Sequence, residues 1–166
     1  MEVEYFFDNS VFLLKPTKFF DDRGFLSETY NSKELEKIGI NTKFVQENFS
    51  FSKSKNVFRG LHFQKSPHEQ AKLIRVLSGS ILDIVVDLRK DSNSYLTHKT
   101  FKLSKKNFKQ IYIPKGFAHG FLTLTSKTEI SYKTSDFYYP ELERSMSWED
   151  KSLKIKLPVK KSDLII

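Results

Sequence analysis

From residue 43 to residue 134 the chain is written in short alternating apolar runs cut by turn residues. That pattern restricts it to a β-sandwich or barrel, because strands of five to eight residues with frequent turns must close into layers to bury one face. The runs cover residues 44–49, 57–63, 71–77, 81–88, 97–103, 110–113, 118–124 and 129–134. Between them stand Lys65-Ser66-Pro67-His68, Ser78-Gly79-Ser80 and Pro114-Lys115-Gly116, all breakers or turn formers. Upstream, residues 12–14 and 25–30 read as strands on either side of the turn Asp21-Asp22-Arg23-Gly24. One helix is expected over 32–38, with Ser32 as cap, Glu34 and Glu36 early and Gly39 as its stop. Residues 50–56 read as a polar loop. Beyond Pro140, 146–148 and 153–157 fit short strands or helical turns. The expectation is one domain over 1–166, mainly β, with one or a few short helices.

The core available to such a fold is aromatic, with 16 Phe and 7 Tyr in 166 residues. There is no Cys, which excludes disulfides and thiolate metal sites. No basic-then-apolar leader pattern opens the sequence, and no apolar run approaches the roughly 20 residues of a membrane span. A cytoplasmic protein without a membrane partner is expected. The formal net charge of +8 raises nucleic acid as a partner. The lysines are scattered, however, so no nucleic-acid partner is expected; such a surface also suits a small anion such as a nucleotide diphosphate.

Chemistry is concentrated in Arg59-Gly60-Leu61-His62-Phe63-Gln64 and the nearby Lys72. In a regular strand Arg59 and His62 project to opposite faces, unless a bulge at Gly60 changes the phase. Taken alone, a strand histidine is more often structural than catalytic. Lys72, between Ala71 and Leu73, either snorkels to a rim or is held in a cavity as a compact cation. Tyr132 is either a core aromatic or a general acid. His119 sits in Pro114-Lys115-Gly116-Phe117-Ala118-His119, one half of a cupin signature in which a tight turn aims a histidine into a barrel. The His-x-His half that would complete a metal site is missing, since His62 is followed by Phe63 and Gln64. Asp83 and Asp87 are four residues apart on one strand, roughly 13 Å, too far to couple directly. Asp83 can instead orient a histidine across the sheet. No phosphate-cradling glycine loop and no nucleophile elbow is present, so a phosphate would be held by side chains such as Arg23, Arg59 or Arg75.

Taken together, these segments resemble the dTDP-4-dehydrorhamnose 3,5-epimerase family. The matching stretches are Asp22-Arg23-Gly24-Phe25 with Glu28, Phe44-Val45-Gln46-Glu47-Asn48, Arg59 to Gln64, Lys72, Gly79, Val86-Asp87-Leu88-Arg89, Ile113 to Phe121, and Tyr132-Lys133-Thr134. The resemblance implies a cupin-like double-stranded β-helix, or jelly roll. It implies His62 as general base, Tyr132 as general acid on the other side of the sugar ring, and Lys72 near the C4 keto oxygen. His119 would line the site. Arg23, Glu28, Gln46, Asn48, Arg59 and Glu143 would contact nucleotide and diphosphate, and Tyr138 would stack on the base. Asp163 stands where the family has an aspartate that orients the base. A homodimer is implied, each N-terminal segment contributing to the neighbour's site, with a nucleotide-sugar substrate and no metal or redox cofactor. The chain departs from the family in Trp148-Glu149-Asp150, in Leu157 where a tryptophan is usual, and in Val159-Lys160-Lys161-Ser162-Asp163. The activity implied is epimerisation of a 4-keto-6-deoxyhexose at C3 and C5. A single-centre epimerase or ketoisomerase, a non-catalytic sugar-nucleotide-binding cupin and a metal-dependent cupin are the alternatives.

Overall fold

The structure, a computed structural model, describes residues 1–166. Its elements in chain order are β1 (Glu2–Phe6), β2 (Val11–Lys15), β3 (Phe19–Asp21), β4 (Gly24–Leu26), α1 (Ser32–Lys37), β5 (Gln46–Ser52) and β6 (Phe58–Gln64). There follow β7 (Lys72–Ser78), β8 (Ser80–Asp87), β9 (His98–Ser104), β10 (Gln110–Ile113), β11 (Phe117–Thr123), β12 (Thr128–Thr134) and β13 (Glu143–Ser145). Six strands form one sheet in the order β1-β2-β10-β7-β12-β5, and five form a second in the order β13-β6-β11-β8-β9. β3 and β4 make a separate hairpin. This is the antiparallel cupin-type jelly roll that the resemblance implies, within the sandwich-or-barrel class that the strand spacing sets.

The two sheets are joined by apolar side chains facing inward. Leu13, Ile74, Val76, Ile111 and Ile130 from the larger sheet meet Ile81, Val85, Leu103, Phe117 and Phe121 from the smaller. Each outer face has a cover of its own. Phe58, Leu61, Ile84, Val86 and Leu122 lie under Leu153 and Ile155, with Trp148, Leu157 and Leu164 packed alongside. Leu14, Leu73 and Tyr112 lie under Leu35 and Ile40 from α1 and the turn after it. β8 is therefore buried on both faces, which is why its sequence runs almost continuously apolar. Residues 81, 83 and 85 share its inward face, so Asp83 enters the barrel with the core.

The turn before β11 is fixed by charge. Asp87 is wholly buried and accepts hydrogen bonds from Arg89, Ser92 and Ser94. Burial pushes its carboxyl up, but these donors prevail and hold it far below the usual carboxylate range. Arg89 also lies 4.6 Å over the Phe117 ring and reaches Ser10 Oγ at 2.6 Å. Gly116, at φ +85°, passes so close that a Cβ there would meet Arg89 Cγ at 2.8 Å. The strand that carries His119 thus starts from a rigid corner.

Several local expectations are corrected. The polar stretch 50–56 is not a loop throughout: β5 runs to Ser52, pairing Ser50, Phe51 and Ser52 with Ile130, Glu129 and Thr128. Its alternate polar residues face a cavity, which explains their polarity without a loop. The strand expected over 25–30 ends at Leu26. Asn31 rather than Ser32 caps α1, its side chain accepting from the amides of Lys33 and Glu34. Residues 146–148 and 153–157 form no strand; their apolar side chains serve as a lid on the smaller sheet. β1 and β13 carry no apolar alternation strong enough to announce them.

Candidate active site

A cavity of about 750 Å³ opens between the two sheets. The larger sheet contributes Gln46, Asn48 and Ser50 from β5, Lys72 and Ile74 from β7, and Ile130 and Tyr132 from β12. The smaller contributes Arg59 and His62 from β6, His119 and Phe121 from β11, and Glu143 and Ser145 from β13. His62 and Tyr132 therefore stand on different walls of one chamber.

The bulge that could bring Arg59 and His62 to one face is present. His119 pairs with His62 and Phe121 with Arg59, and the register shifts between them. Gly60 lies at that step with φ +120°, and a Cβ on it would meet Gly120 Cα at 2.6 Å and the His119 carbonyl oxygen at 2.8 Å. Only glycine fits this approach. The extra residue turns Leu61 into the outer cluster and both Arg59 and His62 into the cavity.

The electrostatics separate an acid from a base. Loss of water contact holds the His62 imidazole below its ordinary pKa, and the charges of Lys72 and His119 push it the same way. It is neutral at pH 7 and able to accept a proton. Burial raises the Tyr132 phenol above its ordinary value, so it keeps its proton. Desolvation lowers Lys72, while the carboxylates of Asp83 and Glu143 pull the other way and favour the cation. The Nε2 of His119 lies 2.7 Å from Asp83 Oδ2, so Asp83 does orient a histidine across the sheet. His62 Nδ1 lies 4.0 Å from Glu143 Oε1.

A second constellation holds Tyr138 at the mouth. The Gln64 amide donates to the carbonyls of Phe137, at 3.0 Å, and His68, and its oxygen accepts from the Tyr139 amide at 2.9 Å. Gln70 donates to the Asp136 carbonyl at 2.9 Å. The Tyr138 ring is left half exposed, with its hydroxyl donating to Glu143 Oε2 at 2.6 Å. Gln46 donates to Asn48 at 2.9 Å on the facing edge strand.

Of the twelve residues expected at the site, nine line this one cavity: His62, Lys72, Tyr132, Gln46, Asn48, Arg59, His119, Tyr138 and Glu143. Three do not. Arg23 lies at the tip of the β3–β4 hairpin, paired with Asp21 at 2.6 Å and with its side chain 91% exposed. Glu28 is solvent-facing beside Asn31, between that hairpin and α1. The hairpin is held on the outside by Lys18, whose ammonium lies 4.4 Å from the Phe25 ring and 4.1 Å from that of Phe108. Asp163 sits exposed in a 3-10 turn over Lys161–Asp163, and of the tail beyond it Ile166 reaches the cavity lining. The Ile165 amide donates to Asn56 and the Phe58 amide to Ile165, four residues along β6 from His62. The carboxylate that faces His62 is Glu143 in its place. Outside the expected set, Ser50 and Ser145 also line the cavity, and Ser50 continues the alternation of Gln46 and Asn48 along β5.

No group of three His, Asp or Glu side chains is arranged to hold a metal ion.

Residues 9–165 match the family model described as dTDP-4-dehydrorhamnose 3,5-epimerase. The chain is 43% identical over 150 residues to the dTDP-4-dehydrorhamnose 3,5-epimerase of Shigella flexneri, spanning 90% of this chain and 82% of that one. It superposes with a TM-score of 0.93 on the crystal structure of the Bacillus anthracis epimerase with TDP and PPi bound, at 45% identity over 96% of this chain and 91% of that one. The Legionella pneumophila dTDP-6-deoxy-D-glucose-3,5-epimerase, in complex with dTDP-4-keto-L-rhamnose, superposes with a TM-score of 0.90 at 38% identity, covering 96% and 85%. The chain belongs to the dTDP-4-dehydrorhamnose 3,5-epimerase family.

Proposed function

We propose that this chain is an isomerase that inverts the carbons beside the ketone of a nucleotide-linked 4-keto-6-deoxyhexose, dTDP-4-keto-6-deoxyglucose, at C3 and C5. The observation that carries the reading is the placement of His62 and Tyr132 on opposite walls of one cavity, with Lys72 lining it from β7, the strand beside that of Tyr132. Inversion needs a base on one face of the sugar and an acid on the other. It also needs a cation where the enolate oxygen forms, because a proton beside a ketone is acidic only when that oxygen is stabilised.

The steps follow from the protonation states. Neutral His62 takes the proton from C3 or C5; the C–H electron pair becomes the C=C bond to C4 as the C4=O π bond breaks and its pair moves onto the oxygen. Lys72 stabilises the oxyanion. Tyr132 then gives its proton to the same carbon from the opposite side, and the pair is reset through solvent. Arg59, Gln46 and Asn48 are suited to the diphosphate and nucleoside, since a guanidinium matches phosphate oxygens in pairs. The exposed Tyr138 ring offers the nucleobase a stacking platform. His119, held by Asp83, adds a fixed polar wall.

A homodimer completes the same reading. Phe19, Phe20, Phe25 and Leu26 on the hairpin, and Phe49 and Phe51 on edge strand β5, are all exposed. Apolar surface of this extent favours a partner. A second copy that seats its hairpin beside β5 would bring Arg23 and Glu28 to the cavity rim. Residues 1–166 would act as one unit in this assembly, in the cytoplasm where nucleotide sugars are available.

The test is product analysis by NMR after incubation with dTDP-4-keto-6-deoxyglucose. Inversion at both C3 and C5 supports the assignment. Inversion at one centre reduces it to a single-centre epimerase, and unchanged sugar rejects it.

A further inference from the structure

The surroundings of His62 are mostly positive. Its own strand brings Arg59, β11 brings His119, and Lys72 and Tyr132 face it from the larger sheet. Glu143, on β13, is the carboxylate within 4.0 Å. Its position is set by the sheet, since Ser145 pairs with His62 and Glu143 with Gln64. The two oxygens of Glu143 have separate tasks. Oε2 accepts the Tyr138 hydroxyl at 2.6 Å, and Oε1 faces His62 Nδ1.

We propose that Glu143 is the positioning residue for the base His62 in this chain, and that through Tyr138 it links the base to the nucleobase platform. The proposal rests on the epimerase reading given above. A proton on Nδ1, directed at Oε1, leaves the lone pair on Nε2 for the sugar. When Nε2 takes the carbon-bound proton, the imidazolium formed has Glu143 as its counter-charge. No other side-chain carboxylate lies within 4.0 Å of His62, and Asp163 is exposed in its 3-10 turn. The Tyr138 hydroxyl holds the second oxygen, so a ring restrained by a stacked base also restrains the carboxylate. A shift of roughly 1 Å brings Oε1 into hydrogen-bond range of Nδ1.

The test compares wild type, Glu143→Gln and Tyr138→Phe with dTDP-4-keto-6-deoxyglucose, following kcat and kcat/KM against pH and measuring dTDP affinity by calorimetry. Glutamine keeps the shape and removes the charge. It is expected to lower kcat roughly tenfold or more and to move the acid limb of kcat/KM to lower pH, because a carboxylate that favours imidazolium has been lost. Tyr138→Phe keeps the ring and should move both quantities the same way by less. A variant Glu143→Gln with a raised KM, weaker dTDP binding and an unmoved acid limb is a ligand contact only, and overturns the proposal. So does an acid limb that moves in Asp163→Asn and not in Glu143→Gln. Either result with an active wild type leaves the epimerase reading standing; a wild type that forms no epimer removes both.

Discussion

Asp83 and His119 share a hydrogen bond of 2.7 Å inside the barrel, where Asp83 has no solvent exposure at all. The second oxygen of Asp83 is buried without a partner, and the carboxylate also favours the charged form of Lys72. One side chain thus orients a wall histidine and balances the Lys72 cation. Replacing it by alanine leaves a buried ring nitrogen unpaired and Lys72 short of a counter-charge. Asp83→Ala is expected to cost about 3 kcal/mol in urea unfolding and to lower kcat at least tenfold. An unfolding midpoint equal to wild type would contradict this.

The cavity face of β6 depends on Gly60. Gly60→Ala forces a methyl against the Gly120 backbone at 2.6 Å, in a conformation that side chains rarely adopt. The step in register that turns both Arg59 and His62 inward must then relax. A loss of about 3 kcal/mol, with activity falling further than stability explains, is expected. Denaturation and steady-state rates on the same preparation measure it; a stable, fully active variant would show that the bulge is dispensable.

Proton uptake by His62 has a definite sign. Burial, then Lys72 and His119, hold its pKa below 6.5 in the folded chain. The unfolded chain binds this proton at higher pH than the folded one. The contribution to stability is therefore complete above pH 6.5 and is lost as pH falls from there through the folded value. The acid limb of kcat/KM lies below pH 6.5 for the same reason. NMR titration of the His62 ring measures it directly, and Lys72→Met should move the titration upward. A wild-type midpoint above 6.5 would reverse the assignment of cause.

Arg23 and Glu28 lie off the cavity of their own chain. If a second copy supplies them, Arg23→Ala and His62→Asn damage different halves of one composite site. Mixing the two inactive proteins under subunit exchange should restore about a quarter of the wild-type rate, since half the dimers are mixed and each has one intact site. No recovery, with exchange verified by mass, would argue that each chain works alone.

The barrel was legible because its strands are short, alternating and punctuated. The site was legible because residue types with few structural reasons to be there, Lys72 and His119 among them, fall on inward positions. The errors have physical causes. Ser50, at the polar end of β5, imitates a loop, because a wet interior and solvent select the same side chains. The phase of β6 could not be read from alternation alone, because a bulge inverts it, although Gly60 marked the place. Asp163 was placed by its resemblance to a family position, but the path of the tail is set by Leu164 in the outer cluster and by the backbone bonds of Ile165. Glu143 carries no periodic signal, since β13 is only three residues long.

Solvent exchange at the sugar tests the chemistry most directly. Incubated with dTDP-4-keto-6-deoxyglucose in D₂O, the protein should place deuterium at C3 and C5 of the product, and His62→Asn should abolish the incorporation while retaining dTDP binding. Absence of deuterium in the wild-type product, or undiminished incorporation with His62→Asn, would contradict proton abstraction by His62.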